Sequence, residues 1–372
     1  GSCAHLGTAN SVCMLSEVLG MALPGGGTAP AASLKRRRIA KESGRKVMEL
    51  LEKGITPRQI LTRETLLNGI AGAMATGSST NLVLHLLAIA HEAGVGLSLD
   101  DFDTISRKVP FVCNLQPSGK YPIVSLDNAG GIPAVMQTIH YALYGKSMTV
   151  TGKTVDEMLE NVVPEPGDVL KTLENPQKKE GGIAVLHGNL APKGAVVKQS
   201  GVNEKMYQFR GRARCFDSME EADAAISGNT IKKGSVIVIR YEGPKGGPGM
   251  REMLSTTALI MGRKMDLDVA LVTDGRFSGA THGPCIGHVS PEAVSGGPIA
   301  FVQDGDWISI DIPNRTLTLE VGEEELEHRK VGWKPVIKPR LPALAKYAAL
   351  VGSSDTGAYV DIANLKGSGG AL

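Results

Sequence analysis

Apolar side chains recur three and four positions apart from Ser11 to about Leu143, which is the spacing that places them on one face of an α-helix. Two such faces are Val12, Leu15, Val18 and Leu19, and Ile39, Val47, Leu50 and Leu51. Residues that end helices follow the apolar runs at Gly20, Pro24, Gly54, Gly77 and Gly94. The pattern therefore predicts that the first half of the chain is mostly helical.

Capping residues indicate where several of these helices begin. Thr62 is placed to cap a helix that begins near Glu64, and Pro133 suits the first turn of a helix that reaches Tyr144. The acidic run Asp100–Asp103 lacks the glycine and the glutamate of a calcium loop, so we interpret it as a helix start. The basic run Lys35–Arg38 opens a charged helix face and is interpreted as a solvated surface.

The second half of the chain is rich in short β-prone runs. The predicted strands are Ile183–Leu186, Ala195–Lys198, Ser235–Tyr241, Val269–Thr273, Ile299–Val302, Trp307–Ile312 and Arg315–Val321. Helices are predicted at Met219–Ile226 and Glu252–Lys264. A proline-containing, charged stretch from Asn161 to Glu180 is typical of a linker between domains.

The pattern as a whole indicates an α/β protein. We expect a truncated, helix-rich domain at 1–165, the remainder of an α/β/α sandwich, and a linker at 166–180. A β-barrel-like domain with flanking helices is expected at 181–352, followed by a tail at 353–372. A length of 372 residues fits two domains.

Composition narrows the function classes. With 42% hydrophobic residues, 21% charged residues and a net charge of +2, the chain reads as a soluble globular protein without an electrostatic bias towards nucleic acid or anionic lipid. The uncharged window Gly69–Ala90 is divided by a polar turn, which favours two buried helices over a membrane span. Five scattered cysteines indicate a reducing compartment, either the cytoplasm or, in a eukaryote, an organelle matrix.

Generic catalytic motifs do not fit. The glycine-rich run Gly243–Gly249 matches neither the phosphate loop GxxxxGK[ST] nor the dinucleotide pattern GxGxxG. The run Gly275–Gly279 reads GxxSG rather than the GxSxG of a nucleophile elbow. Nucleotide binding and serine hydrolysis therefore have no support.

Five segments in a fixed order instead resemble the signatures of the iron–sulfur dehydratase family that acts on dihydroxy acids and sugar acids. They are Gly1-Ser-Cys-Ala-His-Leu-Gly-Thr-Ala-Asn-Ser11, Gly77-Ser-Ser-Thr-Asn81, His187-Gly-Asn-Leu-Ala-Pro192, Tyr241-Glu-Gly-Pro-Lys-Gly-Gly-Pro-Gly-Met250 and Thr273-Asp-Gly-Arg-Phe-Ser-Gly279. With Gly-Gly-Ile-Pro133 and Pro-Glu-Ala293, the resemblance covers nearly the whole chain.

The resemblance implies an iron–sulfur cluster and Mg²⁺. Cys3 corresponds to the last of three cluster cysteines, and the other two, with further magnesium ligands that include a carbamylated lysine, would lie upstream of Gly1. We therefore expect the chain to be a fragment. One cysteine is compatible with a 2Fe–2S or a 4Fe–4S cluster, and we expect the former. The remaining cysteines are interpreted as small buried hydrophobic residues, namely Cys13, Cys113, Cys215 and Cys285.

The resemblance also assigns site residues. Glu242 corresponds to a magnesium-binding glutamate, the alternative being an exposed residue at a strand end. Ser278 corresponds to the serine that acts as the base, the alternative being a turn residue in a glycine loop. A free serine is too weak a base, so magnesium or another fixed positive field would have to hold it as an alkoxide. Thr8, Ser79, Thr80 and Asn81 would bind substrate oxygens or cap a helix.

The implied reaction removes water from a 2,3-dihydroxy acid to give a 2-keto acid, with Ser278 taking the C2 proton. Dihydroxy-acid dehydratase activity in branched-chain amino-acid biosynthesis is the first hypothesis, and a sugar-acid dehydratase acting on gluconate, arabonate or xylonate is the alternative. A third hypothesis is an inactive fragment that retains only an assembly surface. We expect a homodimer, a small hydroxy-acid substrate, and one cavity shared by Cys3, Glu242 and Ser278.

Overall fold

The computed structural model describes residues 4–279, 281–338 and 340–361. The chain forms two compact units, Gly1–Ile183 and Ala184–Leu372, called unit 1 and unit 2 below. Cys3 and the glycine-rich end of the tail lie outside the described residues. Whether the regions 1–165 and 181–352 are separate domains joined by a linker at 166–180 stays a prediction. No helix in the described ranges is both long and apolar enough to cross a membrane.

Unit 1 is helical. Its helices are α1 Thr8–Val18, α2 Leu34–Glu52, α3 Pro57–Ile60, α4 Arg63–Thr76, α5 Asn81–Ala93, α6 Leu99–Ser106, α7 Ile123–Asn128, α8 Gly131–Thr138 and α9 Val155–Leu159. Among the described residues of unit 1, β structure is limited to isolated bridges such as Phe111 with Lys178 and Cys113 with Leu170. The predicted helical first half is therefore confirmed.

Helix α4 is the buried centre of unit 1, with all positions from Thr65 to Thr76 buried except Leu67. Thr62 caps it by accepting a hydrogen bond from the Thr65 N–H, as predicted. Its glycines let α1 approach, because a Cβ at Gly72 would lie 2.7 Å from the Val18 side chain. Small residues on α4 thus set the packing of the helix that begins at Thr8.

Two sequence expectations in unit 1 need adjustment. The helix predicted to reach Tyr144 ends at Thr138, since Ile139 leaves the helical region and a 3₁₀ turn, His140–Ala142, follows. Helix α2 has no buried residue. The basic run at its start is largely exposed, but Arg36 donates hydrogen bonds to the carbonyl groups of Gly26 and Ala29 and so fastens the helix to the preceding loop.

Unit 2 is built on a closed eight-stranded barrel in the order β1-β2-β6-β5-β4-β3-β7-β8. The strands are β1 Ala184–Gly188, β2 Ala191–Val197, β3 Gln208–Phe216, β4 Ser235–Ile239, β5 Ala270–Thr273, β6 Cys285–Ser290, β7 Trp307–Asp311 and β8 Thr316–Leu319. Strands β3, β4, β5 and β6 run parallel, and a parallel bridge between β1 and β8 closes the barrel. The helices are α10 Met219–Ser227, α11 Leu254–Gly262, α12 Glu323–Lys330 and α13 Pro342–Leu350.

The predicted α/β class with a barrel-like sheet is confirmed, with one strand assignment wrong. The run Ile299–Val302 lies mostly in a 3₁₀ helix, Pro298–Phe301, in which proline occupies the first turn. A short apolar run does not distinguish a strand from a buried helical turn by periodicity. Strands β3 and β6 were not predicted.

Alternation along the parallel strands separates two apolar layers. Val236 and Val238 of β4 face the barrel interior, whereas Ile237 and Ile239 pack with Ile226 of α10 in a second layer. The parallel strands are thus buried on both faces. The loops that follow β4 and β5 lead away from this rigid base and carry Glu242 and Ser278.

Candidate active site

Glu242 is buried and is surrounded by positive charge. It lies three residues beyond β4 and is 1% exposed. Its Oε1 atom accepts hydrogen bonds from the Met219 N–H at 3.1 Å and from Lys338 Nζ at 2.9 Å. Arg251 Nη1 lies 3.9 Å from the same oxygen. The alternative that Glu242 is an exposed strand-end residue is therefore wrong.

The surroundings of Glu242 allow its carboxylate to act as one metal ligand. Gly247 packs on this carboxylate, because a Cβ there would lie 2.7 Å from Oε2. Only a glycine leaves the carboxylate this room, and a hard cation such as Mg²⁺ binds carboxylate oxygen. The described residues contain no cluster of three or more His, Cys, Asp or Glu side chains able to hold a metal. Glu242 can thus supply one ligand, and a metal at Oε1 would have to displace the Lys338 ammonium.

Asp274 joins the two loops that carry Glu242 and Ser278. It is fully buried, and its carboxylate accepts the backbone N–H groups of Tyr241 at 3.1 Å, Glu242 at 3.0 Å and Ala293 at 2.8 Å. Burial raises the pKa of Asp274 to about 6, and the three N–H groups oppose that shift. The next residue, Gly275, lies against Glu242, since a Cβ at Gly275 would be 3.1 Å from Glu242 Cβ. The two loops are therefore in direct contact.

We expect Asp274→Asn to lower the free energy of unfolding of unit 2 by about 2–4 kcal/mol, because an amide cannot accept all three N–H groups and its own NH₂ faces donors. Differential scanning calorimetry of the complete protein measures the effect. The matched control is Asp100→Asn, an exposed carboxylate in the first turn of α6. An Asp274→Asn transition within about 1 °C of the wild type would show that this carboxylate does not hold the loops.

Glu292 fixes the glycine-rich loop from the other side. Its carboxylate accepts the N–H groups of Lys245 at 3.0 Å and Gly246 at 2.9 Å. Burial raises the pKa of Glu292 to about 7. The run Gly243–Gly249 therefore encloses the protein's own carboxylate with backbone N–H groups, which is a structural reason for its glycines.

Ser278 lies in the connection between β5 and β6, residues 274–284, called the serine loop below. The side chain is half-buried. Its carbonyl oxygen accepts two hydrogen bonds from Thr281, one from N–H at 3.2 Å and one from Oγ1 at 2.6 Å. Ser278 is thus four residues from Asp274, on the loop whose Gly275 packs against Glu242. Its role as the base stays a prediction.

Three of the four polar residues predicted to bind substrate, Thr8, Ser79 and Asn81, lie in one hydrogen-bond network of unit 1. Thr8 Oγ1 lies 3.1 Å from Ser79 Oγ and accepts from Asn81 Nδ2 at 2.8 Å. Thr80 makes no side-chain cap at the start of α5 and is not in this network. These contacts join the N-termini of α1 and α5, and substrate binding by Thr8, Ser79, Thr80 and Asn81 stays a prediction.

Sequence reasoning missed one buried acid in unit 1. Glu17 is 1% exposed, and its two oxygens accept the N–H groups of Gly25 and Gly27 at 2.6 Å each. Burial raises the pKa of Glu17 to about 7. The sequence signal was a glutamate inside an apolar helical run, followed by a glycine triplet. These two hydrogen bonds hold the Gly25–Gly27 turn.

The other cysteines follow expectation in two of four cases. Cys113 and Cys285 are buried, and burial raises the pKa of each thiol to about 12. Cys13 and Cys215 are only partly buried. Cys3, the predicted cluster ligand, lies outside the described residues.

Comparison with known proteins decides the family. Residues 1–158 match the sequence profile of the dihydroxy-acid/6-phosphogluconate dehydratase N-terminal domain, and residues 168–358 match that of the C-terminal domain. The chain belongs to the dihydroxy-acid/6-phosphogluconate dehydratase family. The resemblance carried by the five sequence segments is confirmed.

Individual members of the dehydratase family are similar over almost the whole chain. The dihydroxy-acid dehydratase of Ignicoccus hospitalis is 53% identical over 364 residues, which is 97% of this chain and 66% of that protein. The dihydroxy-acid dehydratase of Geobacter metallireducens is 54% identical over 359 residues, 96% of this chain and 65% of that protein. The chain therefore spans just under two thirds of the length of these relatives.

Proposed function

We propose that this chain carries part of the active site of a hydro-lyase that converts a 2,3-dihydroxy acid to a 2-keto acid. The substrate class is that of dihydroxy-acid dehydratase in branched-chain amino-acid biosynthesis. Family membership and relatives named dihydroxy-acid dehydratase support the proposal and favour it over a sugar-acid dehydratase. The observation that carries it in this structure is the Asp274 carboxylate, which ties the Glu242 backbone to the serine loop.

The chemistry of the two loops follows from their side chains. Ser278 Oγ, as an alkoxide, takes the proton from C2, the C2 electrons form the C2–C3 double bond, and the 3-hydroxyl leaves as hydroxide. The hydroxide takes the proton from the Ser278 hydroxyl, which releases water and restores the alkoxide. The resulting enol tautomerises to the 2-keto acid. Glu242 would hold Mg²⁺ through its carboxylate. When bound, Mg²⁺ and a cluster iron would supply Lewis-acid chemistry at the carboxylate end and at the leaving hydroxyl.

The proposed cofactors are Mg²⁺ at Glu242 and an iron–sulfur cluster, of 2Fe–2S rather than 4Fe–4S type, at Cys3. The buried Glu242 carboxylate and the space left by Gly247 support the first assignment. The second rests on the resemblance around Cys3 alone. We further propose a homodimer in the cytoplasm, or in an organelle matrix in a eukaryote, with no nucleic-acid or membrane partner.

The complete protein, assayed with 2,3-dihydroxyisovalerate, gluconate, arabonate and xylonate, is expected to form a 2-keto acid fastest from dihydroxyisovalerate. Product is measured as the keto-acid hydrazone. The control substrate 2-hydroxyisovalerate has no 3-hydroxyl to lose and should give no keto acid. Turnover of the sugar acids alone would replace the proposed substrate, and turnover of none would remove the proposed function.

A further inference from the structure

Lys198 is a buried lysine beside the serine loop. It directly follows β2 and is 4% exposed. Its Nζ donates a hydrogen bond to the carbonyl oxygen of Gly279 at 2.7 Å, and Gly279 directly follows Ser278. Lysine is almost never fully buried unless it is paired, because removing its charge from water is costly. The fold therefore places a costly cation one residue away from the proposed base.

The partner of Lys198 is a carbonyl group rather than a carboxylate. Burial lowers the pKa of Lys198 to about 7, and within residues 4–279, 281–338 and 340–361 no carboxylate counteracts this shift. A negative charge that developed near Nζ would raise that pKa again and would be stabilised in return. The arrangement thus suits a cation whose charge is balanced by negative charge that forms during the reaction, rather than by a permanent ion pair.

The backbone around Ser278 is held from two sides. Thr281 donates to the Ser278 carbonyl through both N–H and Oγ1, and Lys198 donates to the next carbonyl. The Gly283 N–H donates to the Gly201 carbonyl at 3.1 Å, which attaches the end of the serine loop to the turn after Lys198. The position of Ser278 is thus set by contacts that include the buried lysine.

The electrostatic influence of Lys198 extends along this loop. The pKa of His282 is lowered, mainly by burial and to a smaller extent by the positive charge of Lys198, and Asp266 opposes the shift. On the other side, the residue after Lys198, Gln199, accepts from Arg315 Nη1 at 3.1 Å. The positive charge of Lys198 thus reaches His282, four residues beyond Ser278 in the serine loop.

We propose that Lys198 is a positioning residue of the dehydration site, holding the Gly279 carbonyl and providing a fixed positive field that favours the Ser278 alkoxide. This inference rests on the proposed function. Lys198 forms and breaks no bond in the reaction, and the C2 proton passes to Ser278 Oγ alone. The positive charge of Lys198 would stabilise the ionised form of Ser278 and so increase the fraction of the serine that is present as the reactive alkoxide.

The test compares Lys198→Met and Lys198→Arg in the complete protein. We expect Lys198→Met to lower kcat for the dihydroxy acid by about 10²-fold, the effect of losing one preorganised charge or donor, with KM changed by less than about threefold. Lys198→Arg keeps the charge and should recover at least about tenfold of that loss. Lys193→Met is the matched control, because Lys193 is an exposed residue of β2, the strand that Lys198 follows.

Hydrogen–deuterium exchange provides a readout that does not depend on turnover. In Lys198→Met the amides of Thr281 and Gly283 should exchange at least about tenfold faster, while Lys193→Met leaves them unchanged. Unchanged exchange in Lys198→Met, or kcat within about threefold of the wild type, would overturn the proposal while leaving the proposed function standing. Equal loss of kcat in the Met and Arg variants would overturn the electrostatic role. If the wild type dehydrates no acid, the proposed function fails, and the exchange rates still decide whether Lys198 holds the loop.

Discussion

Alanine at position 278 is expected to lower kcat for dihydroxy-acid dehydration by about 10²–10⁴-fold, the usual contribution of a positioned general base. The physical reason is that Ser278→Ala removes the only atom proposed to accept the C2 proton and leaves the loop backbone intact. The two hydrogen bonds from Thr281 go to the Ser278 carbonyl, which alanine also has. KM should therefore change little. Steady-state kinetics of the complete protein measures both constants.

The control for this variant is Ser295→Ala, an exposed serine in the same unit. Its kcat should equal that of the wild type. A second readout is exchange of the substrate's C2 proton with deuterium from solvent, which Ser278→Ala should abolish. If Ser278→Ala retained kcat within about threefold of the wild type, the proton would have to pass to another group, and the assignment of the base would be wrong.

Glutamine in place of Glu242 is expected to raise the Mg²⁺ concentration needed for half-maximal activity by more than about 10²-fold. Loss of an outer-shell partner alone costs 10–100-fold in metal affinity, and loss of a charged ligand costs more. Glu242→Gln keeps the size and the hydrogen bond from the Met219 N–H. It leaves Lys338 and Arg251 without their shared carboxylate, which adds repulsion towards a cation. Activity titrated with Mg²⁺ and Mn²⁺ binding followed by electron paramagnetic resonance measure the effect.

Glu221→Gln is the matched control, since Glu221 is an exposed glutamate on α10, the helix whose first N–H contacts Glu242. It should leave the metal requirement unchanged. Melting curves of both variants separate a loss of metal affinity from a loss of folded protein. A Glu242→Gln protein with wild-type metal affinity would show that this carboxylate has a structural role, as the partner of Lys338.

Local signals explain why the helices of unit 1 could be predicted. The spacing of apolar residues, the cap at Thr62 and the left-handed glycines at Gly77 and Gly94 all act within a few residues of each other. Strand β3 shows the opposite case. Arginines alternate with the apolar residues of this strand, so its sequence is not recognised as β-prone. The arginines have partners far along the chain, because the Trp307 ring stacks against Arg210 at 3.9 Å and against Arg212 at 4.3 Å.

The residues of the candidate site also divide into those that a local sequence signal identifies and those that depend on contacts far along the chain. Glu242 and Ser278 could be identified because each lies in a segment that resembles a family signature. Asp274 lies in such a segment too, but its role depends on N–H groups 19 to 33 positions away along the chain. Lys198 follows an ordinary strand, and its contact with Gly279 spans 81 positions. Closure of the barrel creates these relations, and no local pattern encodes them.

Glu242 and Ser278 are proposed to act on the same substrate molecule. A crystal structure of the complete protein with Mg²⁺ and an unreactive dihydroxy-acid analogue tests it most directly. We expect a metal–oxygen distance of about 2.0–2.1 Å at Glu242, and Ser278 Oγ within about 3.5 Å of the analogue's C2. Glu242 and Ser278 opening onto separate surfaces, with the analogue in contact with neither, would contradict it.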